Sequence, residues 1–243
     1  MSTLFSKVVK QAVITFDRKN SSKLKTNFNV LKELVDQLSI SDVGLDSDLV
    51  TEESFDKPLK APCTFVDIFE NSRIKMSVFI LRGDYKMPLH DHPVMHGILK
   101  VLSGKVIVQS YSKIAKNSDI DPLYDINTFQ IDVIKENPLI IDSDSKCAVL
   151  TPTEKNFHEI TAIENVAAFF DILSPPYDAN IPIYGPRPCS FYRKKSLENE
   201  NDHRCTLEKI PCPRSYYCDE SQYKKPSFLY DYMGNSSKSN TNH

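Results

Sequence analysis

Tryptophan is absent from the 243 residues, and glycine occurs only six times. So few glycines leave little room for collagen-like repeats, glycine-rich linkers or a glycine loop that cradles phosphates. Long apolar runs are missing as well: no stretch reaches about 18 apolar residues, so no membrane-spanning helix is expected. The opening MSTLFSKVVKQAVITF sets Lys7 and Lys10 among its apolar residues, unlike the uninterrupted core of a secretory signal. Charge of one sign is also lacking, with 30 Lys and Arg against 32 Asp and Glu and a net charge of -2. That balance disfavours nucleic acids and anionic membranes as partners. What is present, 40% hydrophobic and 26% charged residues, describes a globular chain of one large domain or two small ones.

Without a secretory signal, Cys63, Cys147, Cys189, Cys205, Cys212 and Cys218 read as reduced cytosolic thiols rather than a disulfide framework. Cys205, Cys212 and Cys218 lie near His203, but their spacing is not that of a zinc finger. The sequons at Asn20 and Asn235 are accidental in a cytosolic chain.

Hydrophobic periodicity divides the chain. Leu4, Val8, Val9, Ala12, Val13 and Phe16 repeat at helical spacing, as do Phe28, Leu31, Leu34, Val35 and Leu38, so two amphipathic helices are expected in the first forty residues. Residues 41–62 read as an acidic connecting loop. From about Cys63 the period becomes two, with Ile74, Met76, Val78 and Ile80 alternating with Lys75 and Ser77. Strand-like runs follow at His96–Leu102, Lys105–Ser112, Lys146–Leu150, Phe157–Ile163 and Val166–Leu173, with Ser103-Gly104 turning a hairpin. Many short strands at this spacing imply a sandwich or barrel. Between them, Lys113–Ser145 reads as a polar excursion off the barrel with strands possible only at Ile126–Ile134 and Leu139–Ile141. The proline-rich Ser174–Pro188 reads as a fixed loop. The expected division is 1–62 for the helices and their connection, 63–233 for the barrel with its extension, and 234–243 for a disordered tail.

The chemical signal lies in the histidines. His90, His92 and His96, half of the six, fall within PLHDHPVMHGILKVLSG. Alternate side chains of an extended chain share a face, so His90 and His92 can aim two imidazoles at one point, a metal-ligand geometry. Taken alone, a His-x-His in a solvated loop is the competing reading. His96 is open to three readings: a third ligand, a group hydrogen-bonding to a ligand, or a core histidine, with Pro93 re-aiming the chain before it. A metal site on a sheet needs another ligand from a distant strand, and His158 in CAVLTPTEKNFHEI is the one histidine in a second strand-like run. By itself it could equally be a lone core histidine.

Together PLHDHPVMHGILKVLSGKV, CAVLTPTEKNFHEITA and AAFFDILSPPYD resemble the cysteamine dioxygenase and plant cysteine oxidase family, a branch of the cupins. The resemblance runs from about Thr64 to Tyr192, more weakly into the N-terminal helices and IPCPRSYYCDESQYKKP. It implies a mainly β, cupin-type double-stranded β-helix (jelly-roll) barrel preceded by α-helices. It implies Fe(II) as cofactor, with His90, His92 and His158 as ligands; His96, read from its own neighbours and not from the resemblance, is expected behind them rather than on the metal. The generic cupin motif carries a Glu after its His-x-His, and this chain has none there. Three neutral imidazoles leave the full charge of Fe(II) and three adjacent positions for a thiolate, an amine and O2. The implied reaction adds both atoms of O2 to a thiol with a neighbouring primary amine, giving a sulfinic acid. Family substrates are cysteamine and proteins with an N-terminal cysteine, whose oxidation marks them for arginylation and degradation in response to oxygen. Small family members are usually monomers, so the resemblance implies a monomer, while the lack of a secretory signal is what points to the cytoplasm, with the nucleus also open.

Asp171 matches the family's active-site carboxylate, an acceptor for the substrate amine or for a water near the metal. Tyr177 matches a family tyrosine whose phenol could donate to bound oxygen. Some animal members link a Cys to a Tyr two residues later by a thioether. Here the matching positions are Cys189 and Phe191, with Tyr192 expected to face the other way, so no crosslink is expected. A zinc cupin with isomerase or hydrolase activity, and a non-catalytic cupin binding module, are the alternative functions.

Overall fold

The computed structural model describes residues 3–114, 129–179, 185–195 and 203–233. Thr3 caps the first helix by accepting the Ser6 N–H, and the chain runs through α1 (Leu4–Thr15), α2 (Leu24–Val35) and a single turn, α3 (Ile40–Val43). Among the described residues no helix is long and apolar enough to cross a membrane. Residues 41–62, expected as loop, also contain short 3-10 turns at Ser47–Val50 and Glu52–Phe55.

The strands that follow among the described residues are β1 (Cys63–Glu70), β2 (Lys75–Leu81), β3 (Lys86–Asp91), β4 (His96–Ser103), β5 (Lys105–Lys113), β6 (Gln130–Lys135), β7 (Leu139–Asp142), β8 (Ala148–Leu150), β9 (Phe157–Ala162), β10 (Ala167–Ser174), β11 (Phe191–Lys194), β12 (Arg204–Ile210) and β13 (Cys218–Ser221). One sheet has the order β13-β1-β2-β10-β4-β8 and the other β6-β12-β11-β3-β9-β5-β7. All these pairings are antiparallel except β1 with β13. Consecutive strands such as β3, β4 and β5 pass from one sheet to the other and back, the connectivity of a cupin-type jelly roll.

Alternation explains which face does what. On β2, Met76, Val78 and Ile80 pack with Ala168, Phe170 and Ile172 of β10 and with Phe5, Val8, Val9, Leu31 and Val35 of the helices. The intervening positions, Leu81 and Phe169, point into the barrel with Leu99, Val101, Val106, Val108 and Ile160. Every residue of β10 is therefore buried, helices on one side and barrel core on the other, which is why AAFFDIL reads as a continuous apolar run. Each such side chain contributes about 1.5–3 kcal/mol on burial. Gly104 makes the β4–β5 turn at φ 70, and a Cβ there would lie 2.3 Å from the Val166 carbonyl oxygen, so glycine is required.

One expectation is corrected. The polar stretch after Lys113 is not wholly an excursion: β6 pairs with β5 and β12, and β7 with β5, so both belong to the second sheet. Strands β12 and β13 lie beyond the expected strand-like runs and are placed by their neighbours, β12 between β6 and β11 and β13 along β1. His203, Cys205, Cys212 and Cys218 form no metal-binding group among the described residues, and no disulfide joins the cysteines. The tail beyond Met233, with Asn235 and His243, lies outside the described residues.

Candidate metal centre

His90 and His158 sit on neighbouring strands in direct register, β3 opposite β9, and His92 follows β3 by one residue. The alternation of β3 puts His90 and His92 on one face and turns Asp91 to the other. Their three candidate ligand nitrogens lie within 4.8 Å of one another, and all three residues are buried. The Nε2 atoms of His92 and His158 are 3.0 Å apart. Two nitrogens about 2.1 Å from one ion and at right angles to each other would be separated by about that distance.

Hydrogen bonding fixes the tautomers. His90 Nδ1 lies 2.8 Å from the Pro88 carbonyl oxygen, which can only accept, so the proton is on Nδ1 and Nε2 keeps its lone pair. Tyr177 donates its hydroxyl proton to the Asp91 carbonyl at 2.5 Å, leaving its oxygen to accept from His92 Nδ1 at 2.8 Å. His92 thus also presents a bare Nε2. Burial pushes the imidazolium forms down, to about 4 for His90 and well below the ordinary value for His92 and His158. Three neutral imidazoles whose candidate ligand nitrogens converge, two of them with Nε2 lone pairs fixed by hydrogen bonds on Nδ1, are a donor set that fits a divalent transition metal.

The histidines line a cavity of about 210 Å³ with Met87, Ile160, Phe65, Phe79 and Phe169. Phe79 stacks on Phe169 at 5.5 Å between ring centroids. Asp171 enters from the facing sheet, next to Ser77 on β2 and Leu99 on β4. Burial pushes its carboxyl up to about 7. The carboxylate and the imidazoles therefore approach one space from opposite walls.

Tyr177 belongs behind His92. Its one proton is committed to Asp91, so the expected role as donor to bound oxygen gives way to orienting a histidine. His96 does not join the centre either. Its ring lies 6.2 Å from that of Phe16 and 5.9 Å from that of Phe28, under the N-terminal helices, and burial lowers its pKa. Of the three readings open to it, the packing histidine is the one the structure has, because β4 turns His96 toward the helices. Cys189 lines the cavity with Phe191 and Tyr177. Tyr192 faces away, packing on Phe157 at 5.2 Å and donating to Asp91 Oδ2 at 2.9 Å.

Two residues that sequence reasoning passed over organise this region. The Asp91 carboxylate accepts from Ser190 N–H at 2.8 Å as well as from Tyr192, and burial raises its pKa to about 6. Arg187, 0% exposed, donates to the carbonyls of Pro93 at 2.6 Å and Pro176 at 3.0 Å. The alternation of His-Asp-His was a signal for Asp91. Nothing local marked Arg187, which sits in a proline-rich loop where arginines are ordinarily solvated.

The profile of the family described as PCO_ADO matches residues 34–228, which include the three histidines, Asp91, Asp171 and Arg187. The chain belongs to the PCO_ADO family. This PCO_ADO chain is 28% identical over 257 residues to the 2-aminoethanethiol dioxygenase of Mus musculus, covering 94% of this chain and 98% of that protein. The Homo sapiens 2-aminoethanethiol dioxygenase is 29% identical over 267 residues, covering 93% and 97%. Plant cysteine oxidase 2 of Arabidopsis thaliana is 25% identical over 167 residues, covering 68% of this PCO_ADO chain and 56% of that protein.

Proposed function

We propose that this chain is a thiol dioxygenase that holds iron(II) on His90, His92 and His158 and acts on a thiol with a neighbouring primary amine. The observation that carries the reading is three neutral, buried imidazoles on one cavity wall facing the Asp171 carboxylate on the other. Iron(II), when bound there, supplies the adjacent coordination positions and the redox chemistry with O2 that zinc lacks. The reaction balances: a thiolate and O2 give a sulfinate, the O–O bond breaking as both oxygens bond to sulfur, with sulfur the four-electron donor, O2 the acceptor and no group leaving. A neutral ligand set leaves the metal its full charge for the substrate thiolate. The aromatic walls keep water off the reacting sulfur. Asp171 is placed to accept a hydrogen bond from the substrate ammonium, whose charge would draw its raised pKa back down.

Cysteamine and a protein's N-terminal cysteine share this thiol–amine pair, and both enter the proposal as substrates. On proteins, the sulfinic acid is the mark that the resemblance connects with arginylation and degradation, which makes turnover a readout of oxygen. The test is to load the purified chain with Fe(II) anaerobically and admit air in the presence of a Cys-initiated peptide or cysteamine. A gain of two oxygen atoms by either substrate, absent from zinc-loaded protein, is expected. No gain by both sinks the reading.

Two substitutions divide the roles. Tyr177→Phe removes the acceptor of the His92 Nδ1 proton and should weaken metal affinity about 10–100-fold without unfolding the barrel. Chelator competition measures it, and unchanged affinity would return Tyr177 to a packing role.

Asp171→Asn should keep the metal and lose turnover, with KM for the amine-bearing thiol rising. It also carries a stability signature in metal-free protein. Below pH 3.8 the carboxyl is protonated in both folded and unfolded chains. Between there and about 7 the unfolded chain has released the proton and the folded one has not, so stability falls as pH rises through this window and levels off above it. The asparagine escapes that loss and should be more stable than the parent at pH 8 by a few kcal/mol, with the gap closing toward pH 4. Thermal melts across pH read this directly. A gap independent of pH would mean that Asp171 titrates normally.

A further inference from the structure

Cys63 and Cys218 face each other across the parallel pairing of β1 with β13, in direct register. Neighbouring strands lie about 4.8 Å apart and directly paired side chains stand on the same face. A disulfide needs Cα atoms about 4.4–6.8 Å apart, so this pair is within span. The two thiols lie beside each other, and Tyr216 packs with Cys218 against the barrel core. Cys63 is buried, whereas Cys218 is partly exposed on the edge strand of its sheet. Tyr216 reaches from beside β13 into the cavity wall, with its ring 5.4 Å from that of Phe191.

We propose that Cys63 and Cys218 are an oxidisable dithiol that closes to a disulfide and reshapes the cavity wall through Tyr216. The oxidant is a small-molecule disulfide. Cys218, the accessible member, is the attacking thiolate, and the neighbouring Cys63 thiol and Tyr216 phenol lower its pKa. It forms a mixed disulfide and releases one thiolate of the oxidant. Cys63 then attacks the Cys218 sulfur, giving up its proton to the second departing thiolate. Two protein thiols are oxidised and one disulfide is reduced to two thiols. Closure ties β13 to β1 covalently two residues from Tyr216 and draws Cys218 toward Cys63, so the wall formed by Tyr216 and Phe191 shifts. The effect on catalysis rests on reading that cavity as the active site. The crosslink does not.

The test treats the full chain with oxidised glutathione under native conditions, then blocks free thiols and maps peptides. Expected is a peptide joining Cys63 to Cys218, two hydrogens lighter than its reduced parts and separated by dithiothreitol. Cys63→Ala should stop at a glutathione adduct on Cys218, and Cys218→Ser should leave Cys63 unmodified. Absence of the joined peptide, or Cys218 joined to a different cysteine, overturns the proposal whether or not the chain oxidises thiols. Where turnover is measurable, the oxidised parent should show KM altered several-fold while oxidant leaves Cys218→Ser unaffected. A complete crosslink with unaltered KM overturns the link to the cavity.

Discussion

Replacing His158 with alanine should leave a folded barrel that no longer retains metal and no longer oxidises thiols. The strand survives because its ladder is made by the backbone: β9 pairs with β3 on one side and β5 on the other, His158 opposite His90 and Ser110. The ring that is lost supplies one of three lone pairs converging within 4.8 Å. Groups that merely hydrogen-bond to a ligand are worth about 10–100-fold in metal affinity, so a ligand itself should cost more. Metal analysis after gel filtration and O2 uptake measure the two losses, and circular dichroism checks the fold. Retained metal and normal uptake would remove His158 from the centre. A second variant, His158→Asp, separates binding from chemistry. Two histidines and a carboxylate hold iron in many oxygenases, so metal content should recover. The added negative charge weakens the attraction for a thiolate, so thiol turnover should not.

The two ligand strands were readable because period-two alternation is a local property, and His-x-His states the shared face outright. That His158 lies opposite His90 in the sheet is a register fact, which no window of sequence contains. The helices over the first sheet were legible from their apolar stripes. What they cover was not: His96 follows the His-x-His so closely that it suggested a place at the metal, whereas Phe16 and Phe28 draw its ring to the opposite face of the sheet. Tyr177 shows the same limit in another form. Its presence near the centre followed from the resemblance, but the direction of its proton depends on the Asp91 carbonyl, 86 residues away in sequence. Strands β12 and β13 were missed because their pairing is decided by neighbours far along the chain rather than by their own alternation.

Arg187→Met should lower stability by about 3–5 kcal/mol, since two charge-assisted hydrogen bonds are lost from the buried Pro93 and Pro176 carbonyls, the second of which keeps only the Ala179 N–H at 3.4 Å. In a chain of this size that corresponds to a fall of roughly 10 °C in the unfolding midpoint. The methionine matches much of the arginine's apolar bulk, so the loss reports on hydrogen bonding more than on a cavity. The fork of the guanidinium is what matters: one nitrogen donates to Pro93 just past His92, and the other to Pro176 just before Tyr177. Arg187 thereby fixes the distance between a candidate ligand and the tyrosine that orients it. Lysine, a single point of donation, can satisfy one carbonyl at a time, so Arg187→Lys should recover only part of the stability. Both variants should also bind metal more weakly than the parent, because the Tyr177 oxygen must remain 2.8 Å from His92 Nδ1 to hold that ring in place. Thermal melts of the metal-free protein and chelator competition of the loaded one measure these effects separately. A drop of less than about 2 °C with unchanged metal affinity would show that the two proline-flanked turns hold their geometry without the arginine.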